Sequence, residues 1–280
     1  MDLQTPERLR RLQRKLYRKA TDEPEFRFYS LFDKVYWDET LIHAFRRVRR
    51  NGGAPGVDGV TLKAIEAAGP QGWLSQLQSK LQDGQYEASP VRRVEIPKSG
   101  GGTRPLGIPT VEDRVVQMAV KLVIEPIFEG DFADQAHGYR PERSAKDAVK
   151  KVHQHLCEGR RDVLDADLSS YFDTIPHDEL MKSVSQRVSD GTILELIKMW
   201  LEAPVVDEDD DGTRHIESPD GEGTPQGGIV SPLLANIYFN RFLKFWRQQN
   251  LAERLDARIV NYADDFVILT KGHAQQALEV

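Results

Sequence analysis

The chain has 280 residues, of which 39% are hydrophobic and 29% charged, with one cysteine and a formal net charge of -6. That is enough for one large or two ordinary domains with a real core, and the lone Cys157 excludes an internal disulfide and any multi-cysteine zinc site. No run approaches the roughly eighteen uncharged apolar residues that span a bilayer, and the N-terminus is charged where a secretory signal is apolar, so a soluble, cytoplasmic protein is expected.

The charge is unevenly spread. Between Glu202 and Glu222 stand nine acidic residues and one arginine, so the rest of the chain sums to +2. The first 50 residues hold thirteen Lys and Arg against eight acids, clustered at Arg8, Arg10, Arg11, Arg14, Lys15, Arg18 and Lys19 and again at Arg46, Arg47, Arg49 and Arg50. Such clusters suit a phosphate backbone or, on the plainer reading, form a solvated helix face.

Leu9, Leu12 and Leu16 recur at helical spacing, which predicts an amphipathic helix from Pro6 to Ala20 that needs a partner surface. A second helical tract is expected from Phe26 to Arg50, stopped by Asn51-Gly52-Gly53 and followed by the turn-rich Ala54-Pro55-Gly56-Val57-Asp58-Gly59. A helix over Gly72 to Gln82 precedes two strands, Val91 to Pro97 and Arg104 to Ile108, joined by a glycine-rich tip. Helices are predicted over Val111 to Phe128 and Ser144 to Cys157, then a short strand from Asp162 that ends on Asp167. Two more helices reach about Arg187 and Leu201, and a hairpin follows whose acidic tip, Asp207 to Gly212, reads as a solvated turn. The glycine-rich Gly221 to Gly228 opens a long helix from Ser231, where Ser-Pro is a good helix start. Last come apolar strands Ala257 to Tyr262 and Phe266 to Thr270, presenting Asp264 and Asp265 at a tight turn.

Three acids at strand ends are what two-metal phosphoryl transfer requires, if the strands are neighbours in one sheet. Taken singly each is weak, since Asp-Asp is a common turn pair. Their order and surroundings say more. Asp167-Leu168-Ser169-Ser170-Tyr171-Phe172-Asp173, then the run from Gly223-Thr224-Pro225-Gln226-Gly227-Gly228 to Ile237, then Tyr262-Ala263-Asp264-Asp265 resemble the three central palm motifs of reverse transcriptases, in the right order. Gly53 to Gly59, Ile96-Pro97-Lys98 through Arg104-Pro105-Leu106-Gly107-Ile108-Pro109, and His137-Gly138-Tyr139-Arg140-Pro141-Glu142-Arg143-Ser144 look like the N-terminal extension and fingers motifs of bacterial group II intron-encoded reverse transcriptase/maturases. CRISPR-associated and other group II-like enzymes share many of them.

The resemblance implies an α+β, right-hand polymerase fold. A mainly helical N-terminal extension and start of fingers would occupy 1–85, fingers 86–161, and a palm with an antiparallel sheet backed by helices 162–280. It implies an RNA-directed DNA polymerase that takes an RNA template, a DNA primer and dNTPs, uses two Mg²⁺ ions with Mn²⁺ as a substitute, and engages intron RNA. Asp167 and Asp264 would bridge the metals, with Asp265 a supporting acid and the Leu168 carbonyl a further ligand. Phe172 would be the steric gate against a ribose 2'-hydroxyl, the plainer reading being a core side chain. Lys98 and Arg104 would close on the triphosphate, and Gln226 would pack near the nucleotide; alone, such a Lys and Arg are usually solvent-facing charges. Family members continue into a thumb and maturase region, so this chain is expected to be a truncated portion with little processive synthesis. An RNA-binding maturase fragment that does not polymerise is the competing expectation. An RNA-templated RNA polymerase is disfavoured by Phe172 together with Tyr262-Ala263-Asp264-Asp265.

Overall fold

The computed structural model describes residues 3–97, 101–168, 170–208 and 213–279. The strands, in chain order, are β1 (Val91–Pro97), β2 (Thr103–Ile108), β3 (Asp162–Asp167), β4 (Val205–Glu208), β5 (Arg214–Glu217), β6 (Arg258–Tyr262) and β7 (Asp265–Thr270). They form two sheets, ordered β2-β1-β4-β5 and β3-β7-β6. The chain divides into two compact units, one built from 1–130 and 172–231, the other from 131–171 and 232–280.

The first unit is organised around the helix Val111–Glu129, which is buried along most of its length, from Val115 and Val116 to Ile127 and Phe128. The N-terminal helix Glu7–Asp22 finds its partner surface there: Leu9, Leu16 and Ala20 are buried, and the Gln13 amide donates to the Leu122 carbonyl. Its arginines Arg8, Arg10, Arg11, Arg14 and Arg18 remain exposed.

The tract expected as one helix from Phe26 to Arg50 is two helices, Phe32–Val35 and Asp38–Asn51, preceded by extended chain. Phe28 bridges to Val188, its N–H donating to Arg187, and both Leu31 and Phe32 N–H groups donate to the Asp190 carboxylate. A distant carboxylate thus supplies the helix start that the local sequence lacks. A further helix, Leu62–Ala68, capped by the Thr61 hydroxyl, was not anticipated.

In the mixed sheet, β1 and β2 form the expected hairpin, with Ile96 opposite Arg104, and β1 also pairs in parallel with β4. The β4–β5 hairpin is present, and its tip at 209–212 lies outside the described residues.

In the second unit the sheet is antiparallel throughout. The helix Ala145–Cys157 starts on a capping box, Ser144 and Asp147 each bonding the other's backbone, and packs Ala148 and Val152 on Val260, Val267 and Leu269. The rings of Phe239 and Phe242, on the helix Ser231–Gln248, meet Phe266. Alternation along β7 puts Phe266 and Ile268 on that side and Val267 and Leu269 on the other. No described helix is long and apolar enough to cross a membrane.

Candidate active site

The antiparallel register of β3 and β7 sets Asp167 directly opposite Asp265. Alternation then puts Asp165, Asp167 and Asp265 on one face, the face of Val267 and Leu269, with Asp167 and Asp265 at the end of the sheet. Asp264 is in the two-residue turn between β6 and β7, and the Leu168 N–H donates to its carbonyl at 3.4 Å. Asp167 and Asp265 are exposed and Asp264 is half-buried.

Like charges placed directly across a sheet repel. Loss of hydration, then the charges of Asp264, Asp167 and Asp165, raise the Asp265 carboxyl from its ordinary value. Apart from its own energetic cost, such a cluster is a place of strong negative potential made of hard oxygen donors, the ligand type that small divalent cations take. The Leu168 carbonyl, which accepts from the Tyr171 N–H at 3.1 Å, has a second lone pair available. The residues present therefore fit a divalent metal by donor type and charge. Among the described residues no three His, Cys, Asp or Glu side chains are drawn around one point.

The other predicted residues lie in the first unit. Arg104 Nε donates to Gln226 Oε1 at 2.6 Å, and Gln226 Nε2 donates to both carboxylate oxygens of Asp173 at 2.8 Å. Asp173 thereby fixes which way the Gln226 amide points, a role its place in the motif did not reveal. The backbone beneath is tight: Gly107 N–H donates to the Gln226 carbonyl at 2.6 Å, and Ile229 N–H donates to Gln117 Oε1 at 2.8 Å. Thr224 N–H donates to the Phe172 carbonyl at 2.6 Å, and Phe172 itself is only 7% exposed. An open cleft of about 200 Å³ runs past Asp173, Thr224, Pro225 and Gln226 to Arg93 and Glu217. Lys98 lies outside the described residues.

Sequence reasoning passed over two residues of the second unit. Gly138 was quoted only within a fingers motif, yet a Cβ there would stand 2.1 Å from the Ala263 nitrogen. Asn261, next to the recognised Tyr262, bonds into the acid-bearing turn. In neither case does the residue type alone announce the contact.

An antiparallel sheet with a helix-backed face and carboxylates at neighbouring strand ends is the architecture of a polymerase palm. The chain belongs to the reverse transcriptase (RNA-dependent DNA polymerase) family, whose model matches residues 96–280. It is 37% identical to Protein YkfC of Escherichia coli K12 over 95% of this chain and 76% of that protein. It is likewise 37% identical to the group II intron-encoded protein LtrA of Lactococcus lactis subsp. cremoris, over 61% of this chain and 28% of LtrA. Among solved structures, a chain of a partial Cas6-RT-Cas1–Cas2 complex shares the fold, with a TM-score of 0.50 and 24% identity over 89% of this chain and 41% of that one. The chain thus spans about three quarters of YkfC but under a third of LtrA. The fold is that of reverse transcriptase fingers and palm, and the family depends on divalent metal and works on nucleic acid.

Proposed function

We propose that this chain is the catalytic core of a group II-like reverse transcriptase, adding dNTPs to a primer 3'-hydroxyl on an RNA template. The observation that carries this reading is the register that sets Asp167 opposite Asp265 beside the turn bearing Asp264. Asp167 and Asp264 would hold two Mg²⁺ ions, with Mn²⁺ as a substitute, helped by the Leu168 carbonyl and with Asp265 as the supporting acid. When bound, the ions supply Lewis acidity at the reacting oxygens and offset the triphosphate charge.

The remaining tasks fall to the chain itself. Arg104 spends Nε on Gln226, which leaves its two terminal nitrogens in the fork that suits phosphate oxygens, and Lys98 adds a compact second charge. Phe172 excludes a ribose 2'-hydroxyl, offering that group neither room nor a hydrogen-bond partner. The exposed arginines of Glu7–Asp22 meet RNA phosphates, intron RNA included, an assignment supported by the similarity to a protein named as group II intron-encoded.

Primer extension on poly(rA)/oligo(dT) tests the reading. Divalent-dependent addition of dTMP, with UMP added far more slowly, is expected; failure of dTMP addition with either Mg²⁺ or Mn²⁺ would overturn it. Two variants probe the nucleotide side in the same assay. Arg104→Ala is expected to raise KM for dTTP by about 10- to 100-fold, the value of a charge-assisted bond pair, with a smaller change in kcat. Phe172→Val should narrow the preference for dTTP over UTP by about tenfold or more; an unchanged ratio in a folded variant would make Phe172 a core side chain and nothing else.

A further inference from the structure

The turn between β6 and β7 has only Ala263 and Asp264 between the paired residues Tyr262 and Asp265. Ala263 sits at φ 60°. At the first central position of a two-residue hairpin loop this conformation is normally given to glycine, because a Cβ resists it. The strain needs something to hold it.

Asn261 is 1% exposed, and its side chain folds back into the loop. Nδ2 donates to the Ala263 carbonyl at 2.7 Å and to the Asp265 carbonyl at 3.2 Å, the two carbonyls that bracket Asp264. Its buried Oδ1 has no partner among the described residues, so what the side chain contributes is its donors. The backbone of Asn261 is pinned in turn, its N–H donating to Gln135 at 2.9 Å and its carbonyl accepting from His137 at 2.9 Å. Gly138 then lies against the Ala263 backbone, and Asn236 Nδ2 holds the Gly138 carbonyl at 2.8 Å.

We infer that Asn261 is a positioning residue for polymerisation, locking the left-handed Ala263 so that Asp264 and Asp265 are presented to metal in one fixed arrangement. This rests on the polymerase reading above. Without the two donors, the Ala263–Asp264 peptide is free to relax to a turn with negative φ, which splays the strands and swings the Asp264 carboxylate. Asn261 touches neither substrate nor metal in this scheme and acts only through the turn.

The test compares wild type, Asn261→Ala, Ala263→Gly and the double variant, by steady-state primer extension and by Mn²⁺ titration followed by electron paramagnetic resonance. Asn261→Ala is expected to weaken Mn²⁺ binding and lower kcat by about 10- to 100-fold, as small misplacements of reacting groups do, with KM for dTTP within about twofold. Adding Ala263→Gly, which makes the left-handed turn intrinsically favourable, should recover most of both losses relative to Ala263→Gly alone. A merely structural role predicts no such rescue. Asn261→Ala with Mn²⁺ affinity and kcat within twofold of wild type overturns the inference, and so does a loss that glycine does not repair. If the single variant fails to fold, the double decides: folded with Mn²⁺ binding restored, it supports the turn role, and unfolded as well, it assigns Asn261 to the core. Should wild type bind Mn²⁺ yet extend no primer, the polymerase reading falls while the Mn²⁺ comparison still judges Asn261.

Discussion

Asp264→Ala is expected to leave primer extension below about one part in 10³ of wild type, while the protein stays folded. Metal assistance to phosphoryl transfer is worth several kcal/mol, and each 1.4 kcal/mol is about tenfold in rate. The variant removes one of four crowded acids, so Asp165, Asp167 and Asp265 are left with less of the negative charge that attracts metal. Folding should not suffer, because Asp264 is in the turn and half-buried, with Asn261 still bracing the loop through backbone carbonyls. The sign of the electrostatic effect points the same way. Asp265 is held above its ordinary range in the folded state, so the folded protein binds its proton more tightly than the unfolded chain does, and stability falls as pH rises through that window. Taking away Asp264 removes one cause of the shift. A thermal midpoint at neutral pH that does not drop, measured beside a vanished extension rate, is the expected pair of results; extension within tenfold of wild type would remove Asp264 from the site.

Gly227→Ala should be the most damaging small change on the nucleotide side. Gly227 has φ 113°, and a Cβ there would stand 2.2 Å from the Gly107 carbonyl oxygen, on the same strand that pairs its N–H with Gln226. Strain and overlap compound: the backbone must shift, because the nearest atom is a backbone carbonyl oxygen and not the end of a flexible side chain. A loss of about 2–4 kcal/mol is expected in urea unfolding, with KM for dTTP raised because Gln226 and Arg104 move with the loop. Gly221→Ala is the comparison, since Gly221 also has positive φ, at 81°, but nothing among the described residues within 4 Å of its would-be Cβ. It should cost only about 1–2 kcal/mol. Equal losses would mean that the close approach to β2 is unimportant.

Much of this was legible in the sequence, for reasons that differ by element. The strand Asp162–Asp167 was legible as a short run, mostly apolar before its last carboxylate, a local signal, and the helix Ala145–Cys157 falls where a helix over Ser144 to Cys157 was expected. The tract after Phe26 misled because its break is imposed by Val188, Arg187 and Asp190, more than 150 residues away. Leu62–Ala68 is too short for periodicity to declare itself. For the candidate site, motif order nominates the three acids, but a pattern of period two gives the face of a strand and never its partner, so the pairing of Asp167 with Asp265 required the fold. Asn261 and Gly138 escaped for a further reason: their importance is to backbone atoms, and backbone leaves no mark in the residue types around it.

The parallel pairing of β1 with β4 joins Val91 to Val205 and Arg92 to Val206. Between them the chain leaves the first compact unit after Gly130 and re-enters it at Phe172, while the second unit likewise takes up 131–171 and waits for 232–280. Neither unit is therefore a contiguous stretch of gene. During synthesis from the N-terminus the mixed sheet has only its β1–β2 hairpin until residues beyond Val205 emerge, and the acid-bearing sheet has only β3 until β6 and β7 follow. Long-range pairings of this kind are slow to form and leave strand edges open in the interval. Stop codons or proteolytic nicks anywhere from Gly130 to Ser231 should consequently disable both units at once, and aggregation on overexpression should be worst for fragments ending between β3 and β4.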